Sequence, residues 1–129
     1  MENIRIRRLQ IEDAGEISRI YAAITRKPIS DDFKHVVEEH ARRRKDVCLV
    51  AEAGDRIVGF MISYILTAGF GMAQSAWIAT MGVDPGFMGQ GIGARMAGEI
   101  FASYRAQGID NVYTSVRRDS TDMLSFFKT

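Results

Sequence analysis

The sequence has 129 residues, of which 47% are hydrophobic and 26% charged, and its formal net charge is +1. This length suits one domain over residues 1–129, and the balanced charge argues against a general nucleic-acid-binding surface. There is no run of about 18 apolar residues to span a membrane. The first five residues also lack the apolar segment of a secretory signal, so a cytoplasmic location is expected.

The first part of the chain alternates between strand and helix patterns. Residues 3–9 alternate polar and apolar side chains, which is typical of a half-buried strand. Glu12 and Asp13 open a helical pattern that should end before Pro28, and Ser30 is predicted to cap a second helix. The apolar faces of these two helices are predicted to consist of Ile17, Ile20, Tyr21 and Ile24 in the first, and Phe33, Val36, Val37 and Ala41 in the second.

The rest of the chain adds more strands and at least one more helix. Residues 47–53 and 56–66 predict a hairpin, and residues 76–83 predict a strand that is broken by Asp84, Pro85 and Gly86. A helix begins near Gly93 and closes at Gly108, a strand follows over residues 112–116, and a last helical pattern starts at residue 119. The predicted apolar face of the helix after Gly93 is Met96, Ala97, Ile100, Phe101 and Tyr104.

The order of these elements predicts an α/β fold with a mixed sheet. The hairpin requires antiparallel pairing, whereas the strand–helix–strand unit over residues 76–116 requires a parallel pair. One domain can contain both kinds of pairing.

A glycine-rich segment joins the strand 76–83 to the following helix. Such a turn exposes backbone N–H groups at the positive end of a helix, where phosphate groups bind. A nucleoside-triphosphate loop requires Gly-Lys followed by Ser or Thr, but Gly91 and Gly93 are followed here by Ile92 and Ala94. That class of phosphate loop is therefore excluded.

A dinucleotide-binding loop fits the same residues in part. Gly89, Gly91 and Ala94 have the spacing of that fingerprint, and Asp110 follows about 20 residues later. The late position of the motif counts against it, because too few residues remain after Asp110 for further strand–helix units. An oxidoreductase that binds NAD stays a distant alternative.

The segment Val83-Asp84-Pro85-Gly86-Phe87-Met88-Gly89-Gln90-Gly91-Ile92-Gly93 resembles the central motif of the GNAT family of N-acetyltransferases. The resemblance extends to residues 4–14, to Arg56–Phe60, to a β-bulge predicted at Gly82 and to residues 120–128. It implies a GNAT-like acyl-CoA N-acyltransferase fold and direct acetyl transfer from acetyl-CoA to a primary amine, without a covalent intermediate. The acceptor is expected to be a small-molecule amine or a peptide or protein amine, selected by the loops 25–32 and 66–75.

The resemblance also implies which residues bind the cofactor. Backbone N–H groups of the glycine loop would hold the pyrophosphate, and the strand before it would pair with the pantetheine arm. The N–H of Met81 would then donate to the thioester oxygen. The implied cofactor-binding residues are Met81, Gly82, Val83, Met88, Gly89, Gln90, Gly91, Ile92, Gly93, Ala94 and Ser120.

Three departures from the family pattern concern binding and catalysis. Met88 stands where the family has Arg or Gln, and Phe127 stands where it often has a proton-donating Tyr, while residues 76–83 contain no acid. The catalytic residues are therefore left unassigned, with Thr80, Tyr113 and Glu52 as the candidates. A module that binds acyl-CoA without catalysis is the main alternative function.

Related proteins continue with two more strands after the last helix, and this fold is expected to lack them. The strand 112–116 would then be an apolar sheet edge, so either a truncated chain or a second copy that covers this edge is expected. No metal site is predicted, because His35 and His40 lie five residues apart and share no helix face. Cys48 lies in an apolar run and is predicted to be a buried, unreactive thiol.

Overall fold

The computed structural model describes residues 3–43, 45–67 and 74–114. These residues form five strands and three helices, with two short 3-10 turns at Ile11–Asp13 and Pro85–Phe87. The elements are β1 (Ile4–Arg8), α1 (Ala14–Thr25), α2 (Asp31–Arg42), β2 (Cys48–Ala53), β3 (Arg56–Leu66), β4 (Ser75–Val83), α3 (Ile92–Ala106) and β5 (Val112–Thr114).

The five strands form one mixed sheet in the order β1-β2-β3-β4-β5. The first three neighbouring pairs are antiparallel, and β4 pairs with β5 in parallel across α3. The predicted fold class is confirmed, as is the hairpin between β2 and β3.

The sheet separates two hydrophobic layers. On one face α3 packs its buried side chains, among them Met96, Ile100 and Tyr104, against the sheet. On the other face α1 and α2 cover the sheet through Ile17 and Val37, among others. Because successive strand residues point to opposite faces, both faces of β2 and β3 are buried and their sequences are almost continuously apolar.

Three predicted apolar positions are wrong. Ile24 of α1 is 41% exposed, Val36 of α2 is 49% exposed and Phe101 of α3 is 40% exposed. In α2 and α3 a neighbouring apolar residue of the same predicted face is buried, Val37 and Ile100 respectively. The predicted apolar face of a helix can be wider than the surface that contacts the sheet. The sequence alone then does not show which apolar residue is exposed to solvent.

The β-bulge lies at a different position from the one predicted. Ile62 pairs with Thr80 and Ser63 pairs with Ile78, so Ala79 has no partner on β3. Gly82 pairs normally with Phe60. The bulge is therefore at Ala79, and Gly82 is required for a reason of packing described below.

Other local predictions are confirmed. The side chain of Ser30 accepts a hydrogen bond from the N–H of Phe33 and caps α2. Gly108 has a φ of +82°, the left-handed conformation expected just after a helix. None of the helices in the described ranges is long and apolar enough to cross a membrane.

Several predictions concern residues outside the described ranges. These are the continuation of β5 to residue 116, the last helix with Ser120 and Phe127, the expected lack of two further strands, and residues 68–73 of the loop 66–75.

Candidate functional site

The connection from β4 to α3 is anchored to the sheet by Asp84. Its N–H donates to the carbonyl of Val58 in β3 at 2.8 Å. Its carboxylate accepts from the N–H of Gly86, and its carbonyl accepts from the N–H of Phe87, both at 2.8 Å. These bonds fix the 3-10 turn Pro85–Phe87, and therefore the point where the glycine loop leaves the sheet.

The glycine loop that follows contains two left-handed residues. Gly89 has a φ of +83° and Gly91 a φ of +76°, a region that residues with a Cβ atom rarely adopt. A Cβ atom added at either position would meet no other atom within 4 Å. Glycine is needed here for backbone conformation, and the space around the loop is open.

The loop delivers the chain to the N-terminus of α3. Gly91 is the N-cap residue, and its carbonyl accepts the first helical hydrogen bond from the N–H of Arg95 at 3.0 Å. No side chain of the described residues caps this helix end. The first-turn N–H groups of Ile92, Gly93 and Ala94 thus have no helical acceptor, and the positive end of the helix dipole lies beside them.

The side chains around this helix end leave the backbone accessible. Ile92 is buried in the core and fixes the first turn to the sheet. Met88, Gly89, Gln90 and Gly91 are all exposed, with Met88 at 58%. The arrangement can bind an anion through the main chain, with few side chains involved.

Hydrogen bonds at the two ends of β4 show how the bulge changes the direction of its N–H groups. The N–H of Ala76 donates to the carbonyl of Asn111, on the β5 side, at 3.0 Å. The N–H of Asp84 donates to Val58, on the β3 side. In a regular strand both N–H groups would point to the same side, because every second residue does.

The unpaired Ala79 accounts for this reversal. Beyond it, the N–H groups of Met81 and Val83 point away from β3, towards the side on which β5 lies. In the described part of the chain, pairing with β5 extends only to Ile78, opposite Thr114. The bulge thus directs two amides of the second half of β4 out of the β3–β4 ladder.

Gly82 lies between these two residues in a crowded position. A Cβ atom there would lie 2.7 Å from Cδ1 of Ile24 and 2.9 Å from Cε1 of Phe60. The side chains of Met81 and Val83 pack on the opposite face, against the α3 core. Gly82 therefore allows α1 to approach the sheet.

The three candidate catalytic residues lie on three different strands. Thr80 is half-buried opposite Ile62, and Tyr113 is 46% exposed on β5. Glu52 lies on β2, two strands from β4, and its carboxylate forms an ion pair with Nε of Arg7 at 3.0 Å. Glu52 therefore has a structural partner in Arg7, and it does not lie on the strand that leads into the glycine loop.

Arg7 joins Glu52 to a second carboxylate at the start of α1. Its guanidinium donates to both oxygens of Asp13 at 2.8 Å. The hydrogen bonds to Asp13 raise the pKa of Arg7, and the interaction with Glu52 raises it further. Burial lowers the pKa, but by less than these two partners raise it. This cluster joins β1, β2 and α1 and is distant from the open end of β4.

Sequence reasoning missed a cation near the loop. The guanidinium of Arg56, the first residue of β3, lies over the ring of Phe87 at 5.4 Å from its centroid. Such a contact is worth about 0.5–1 kcal/mol at an exposed site. It holds a positive charge beside the 3-10 turn, and only the pairing of β3 with β4 brings the two residues together.

It also missed an aromatic row across three strands. Tyr64 of β3 pairs with Trp77 of β4, and Trp77 pairs with Tyr113 of β5. The rings of Trp77 and Tyr113 stack with their centroids 4.9 Å apart. The sequence places at least one aromatic residue in each of the three strands, but only the register shows that Tyr64, Trp77 and Tyr113 are neighbours.

Cys48 is buried, as predicted. Burial raises the pKa of its thiol to about 11. The thiolate is therefore scarce at neutral pH, and Cys48 is not a nucleophile for acyl transfer.

Comparison with known proteins assigns these features to a family. A model of the acetyltransferase (GNAT) family matches residues 14–129. No curated protein matches the sequence. The family and the acyltransferase class predicted from the sequence are thus confirmed.

Solved structures share the fold at low sequence identity. An aminoglycoside acetyltransferase from an uncultured soil metagenomic sample, in complex with trehalose, has a TM-score of 0.82 and 22% identity, covering 97% of this chain and 85% of its own. The aminoglycoside N-acetyltransferase AAC(6')-Iy, in complex with CoA, has a TM-score of 0.83 and 13% identity, with 99% and 86% covered. A ribosomal-protein-alanine N-acetyltransferase from Brucella melitensis biovar Abortus 2308 has a TM-score of 0.77 and 17% identity, with 98% and 89% covered.

Proposed function

The chain belongs to the acetyltransferase (GNAT) family, and we propose that it transfers the acetyl group of acetyl-CoA to a primary amine. One observation carries this proposal: the strand β4 leads through an open glycine loop into the uncapped N-terminus of α3. Residues 1–129 would form a single domain, in which this connection is the cofactor site.

The proposed cofactor site is built mainly from the main chain. N–H groups from Met88 to Ala94 would hold the pyrophosphate at the positive end of α3. The outward N–H groups of Met81 and Val83 would pair with the pantetheine arm as a neighbouring strand does. A structure of AAC(6')-Iy contains CoA, which supports a coenzyme site in this fold. Ser120 stays a prediction for the same ligand.

Arg56 gives a physical reason why Met88 can replace the Arg or Gln of the family motif. Its guanidinium lies over Phe87, directly before Met88 in the chain. A cation held there would attract the phosphate groups of the cofactor.

The proposed reaction is direct aminolysis of the thioester. The neutral amine attacks the carbonyl carbon, a C–N bond forms, the C–S bond breaks and the thiolate leaves with CoA. The amine nitrogen loses a proton and the departing thiolate takes one up. The N–H of Met81 would stabilise the negative charge that develops on the carbonyl oxygen.

Positioning accounts for much of the expected rate. An amine held next to a thioester reacts without a covalent enzyme intermediate, and the unreactive state of Cys48 agrees with this route. Thr80 and Tyr113 stay candidates for proton transfer. A second copy of the chain against β5 also stays a prediction.

The acceptor class proposed is a primary amine on a small molecule, a peptide or a protein. Neighbours of the same fold are an aminoglycoside N-acetyltransferase and a ribosomal-protein-alanine N-acetyltransferase. Both names indicate amine acceptors, which supports N-acetylation over other acyl transfers.

The test is an assay of thiol release from acetyl-CoA with a panel of primary amines, supported by titration of the protein with CoA. We expect saturable CoA binding and amine-dependent thiol release. CoA binding without release for any amine would instead favour the non-catalytic module, for which the absence of acids in β4 is the supporting observation. Binding of NAD but not of CoA would contradict both.

A further inference from the structure

The aromatic row (Tyr64, Trp77 and Tyr113) lies on the α1/α2 face of the sheet. Ala76 and Ile78, which flank Trp77, belong to the core on the α3 face, so Trp77 points to the opposite face. Its direct cross-strand partners Tyr64 and Tyr113 point with it. The ring of His40 in α2 lies 6.1 Å from that of Tyr64, which places the row on the side of that helix.

The rings of the row are held by contacts with neighbouring side chains, and each ring is only partly buried. Trp77 donates its indole N–H to the hydroxyl of Ser75 at 3.2 Å, so its polar group already has an acceptor. Trp77 and Tyr64 are half-buried, and Tyr113 is 46% exposed. The exposed part of the row is aromatic surface.

A histidine and an ion pair lie at the Tyr64 end of the row. Burial lowers the pKa of His40, and the positive charge of Arg43 lowers it further, so His40 is neutral at pH 7. Arg43 lies 3.8 Å from the carboxylate of Asp46, which is itself buried. Arg43 and Asp46 therefore offset each other's charge near Tyr64.

The row is close to the proposed reaction centre. Trp77 precedes Met81 by four residues on the same strand, which corresponds to at most about 13 Å at a rise of roughly 3.3 Å per residue. An acceptor whose reacting amine lies near Met81 can therefore reach the row with its other end. This distance suits an elongated molecule.

We propose that the aromatic row binds a second positive charge of the acceptor and thereby selects di- and polyamines among primary amines. The faces of Trp and Tyr rings attract ammonium groups, and Trp does so most strongly. The reacting amine must be neutral, whereas the distal amine keeps its proton and its charge. This inference rests on the proposed function, because it names the acceptor of the same site.

The kinetic test compares diaminooctane with aminooctanol, which has the same length but carries one charge. In the wild-type protein we expect a lower KM for the diamine. Tyr64→Leu should raise the KM for the diamine about five-fold, the size of a cation–π contact, and leave that for the amino alcohol within two-fold. Tyr64→Phe keeps the ring face and should keep the wild-type preference. Equal KM values for both amines, or equal changes in both, would overturn the inference.

A binding test does not depend on turnover. Trp77 is the only tryptophan of the chain, so its fluorescence reports directly on the row. We expect a saturable change with diaminooctane that is weaker about five-fold in Tyr64→Leu, and little change with aminooctanol. The absence of a saturable response to the diamine would overturn the inference. A saturable response in a protein that releases no thiol with any amine would instead contradict the proposed function alone.

Discussion

Gly82 in β4 and Gly91 before α3 lie on either side of the 3-10 turn, and their surroundings differ. A side chain at Gly82 would collide with Ile24 and Phe60. A side chain at Gly91 would enter open space, but the residue has a φ of +76°. One glycine is needed because neighbouring atoms are close, and the other because the backbone must turn.

The two positions therefore serve different parts of the protein. Gly82 lets α1 close over the sheet, so its loss should appear as reduced stability. Gly91 shapes an exposed loop at the proposed cofactor site, so its loss should appear as reduced ligand binding.

The largest expected effect is on cofactor binding in Gly91→Asp. The new carboxylate would lie at the proposed pyrophosphate site, where like charges cost several kcal/mol. We expect CoA affinity to fall about 100-fold or more, measured by calorimetric titration, since each tenfold change corresponds to about 1.4 kcal/mol.

Gly91→Asn is the matched control for this prediction. Asn has the shape of Asp without its charge, and both tolerate the left-handed conformation better than other residues do. It should bind CoA far more tightly than the Asp variant. Equal dissociation constants for the two variants would mean that the phosphates bind elsewhere.

An intermediate effect is expected on the stability of Gly82→Ala. The added methyl group meets the end of Ile24, which can move because it is partly exposed, and Phe60, which cannot because it is fully buried. Overpacking of this kind typically costs about 1–3 kcal/mol. Urea denaturation should show a free energy of unfolding lower by that amount.

The same substitution at Gly98 provides the control. Gly98 is in the exposed part of α3, and a Cβ atom there meets nothing within 4 Å. Gly98→Ala should stabilise the protein by about 0.5–1 kcal/mol. A neutral or stabilising Gly82→Ala would show that α1 is not held as closely as the structure indicates.

The smallest effect is expected for Met88→Arg, which restores a side chain of the family motif. Met88 is exposed, and an exposed ion pair contributes about 0.2–1 kcal/mol. CoA should bind about two- to five-fold more tightly at low salt, with the gain lost in high salt because charges are screened. Met88→Leu should bind as the wild type does, and a gain that salt does not reduce would argue against a phosphate contact.

The sequence was sufficient where the signal is local. The helix end at Gly108, the cap at Ser30 and the strand–glycine loop–helix order each depend on a few consecutive residues, and all are found in the structure. The glycine loop between β4 and α3 also carries the family motif, so the proposed cofactor site could be predicted.

Features that depend on strand register could not be predicted. The bulge at Ala79 arises from how β4 pairs with β3, and it decides which amides of β4 point outward. The contact between Arg56 and Phe87, and the alignment of Trp77 with its two Tyr neighbours, depend on the same pairing. The burial of Val37 instead of Val36 depends on how the helix rotates against the sheet.

Amide chemical shifts of the isotope-labelled protein test the central claim most directly. On addition of CoA, the largest shifts should occur at residues 89–94 and at Met81 and Val83. Pantetheine, which lacks the pyrophosphate, should shift the amides of Met81 and Val83 and leave residues 89–94 nearly unchanged. Shifts with CoA that leave the glycine loop unaffected would contradict the account.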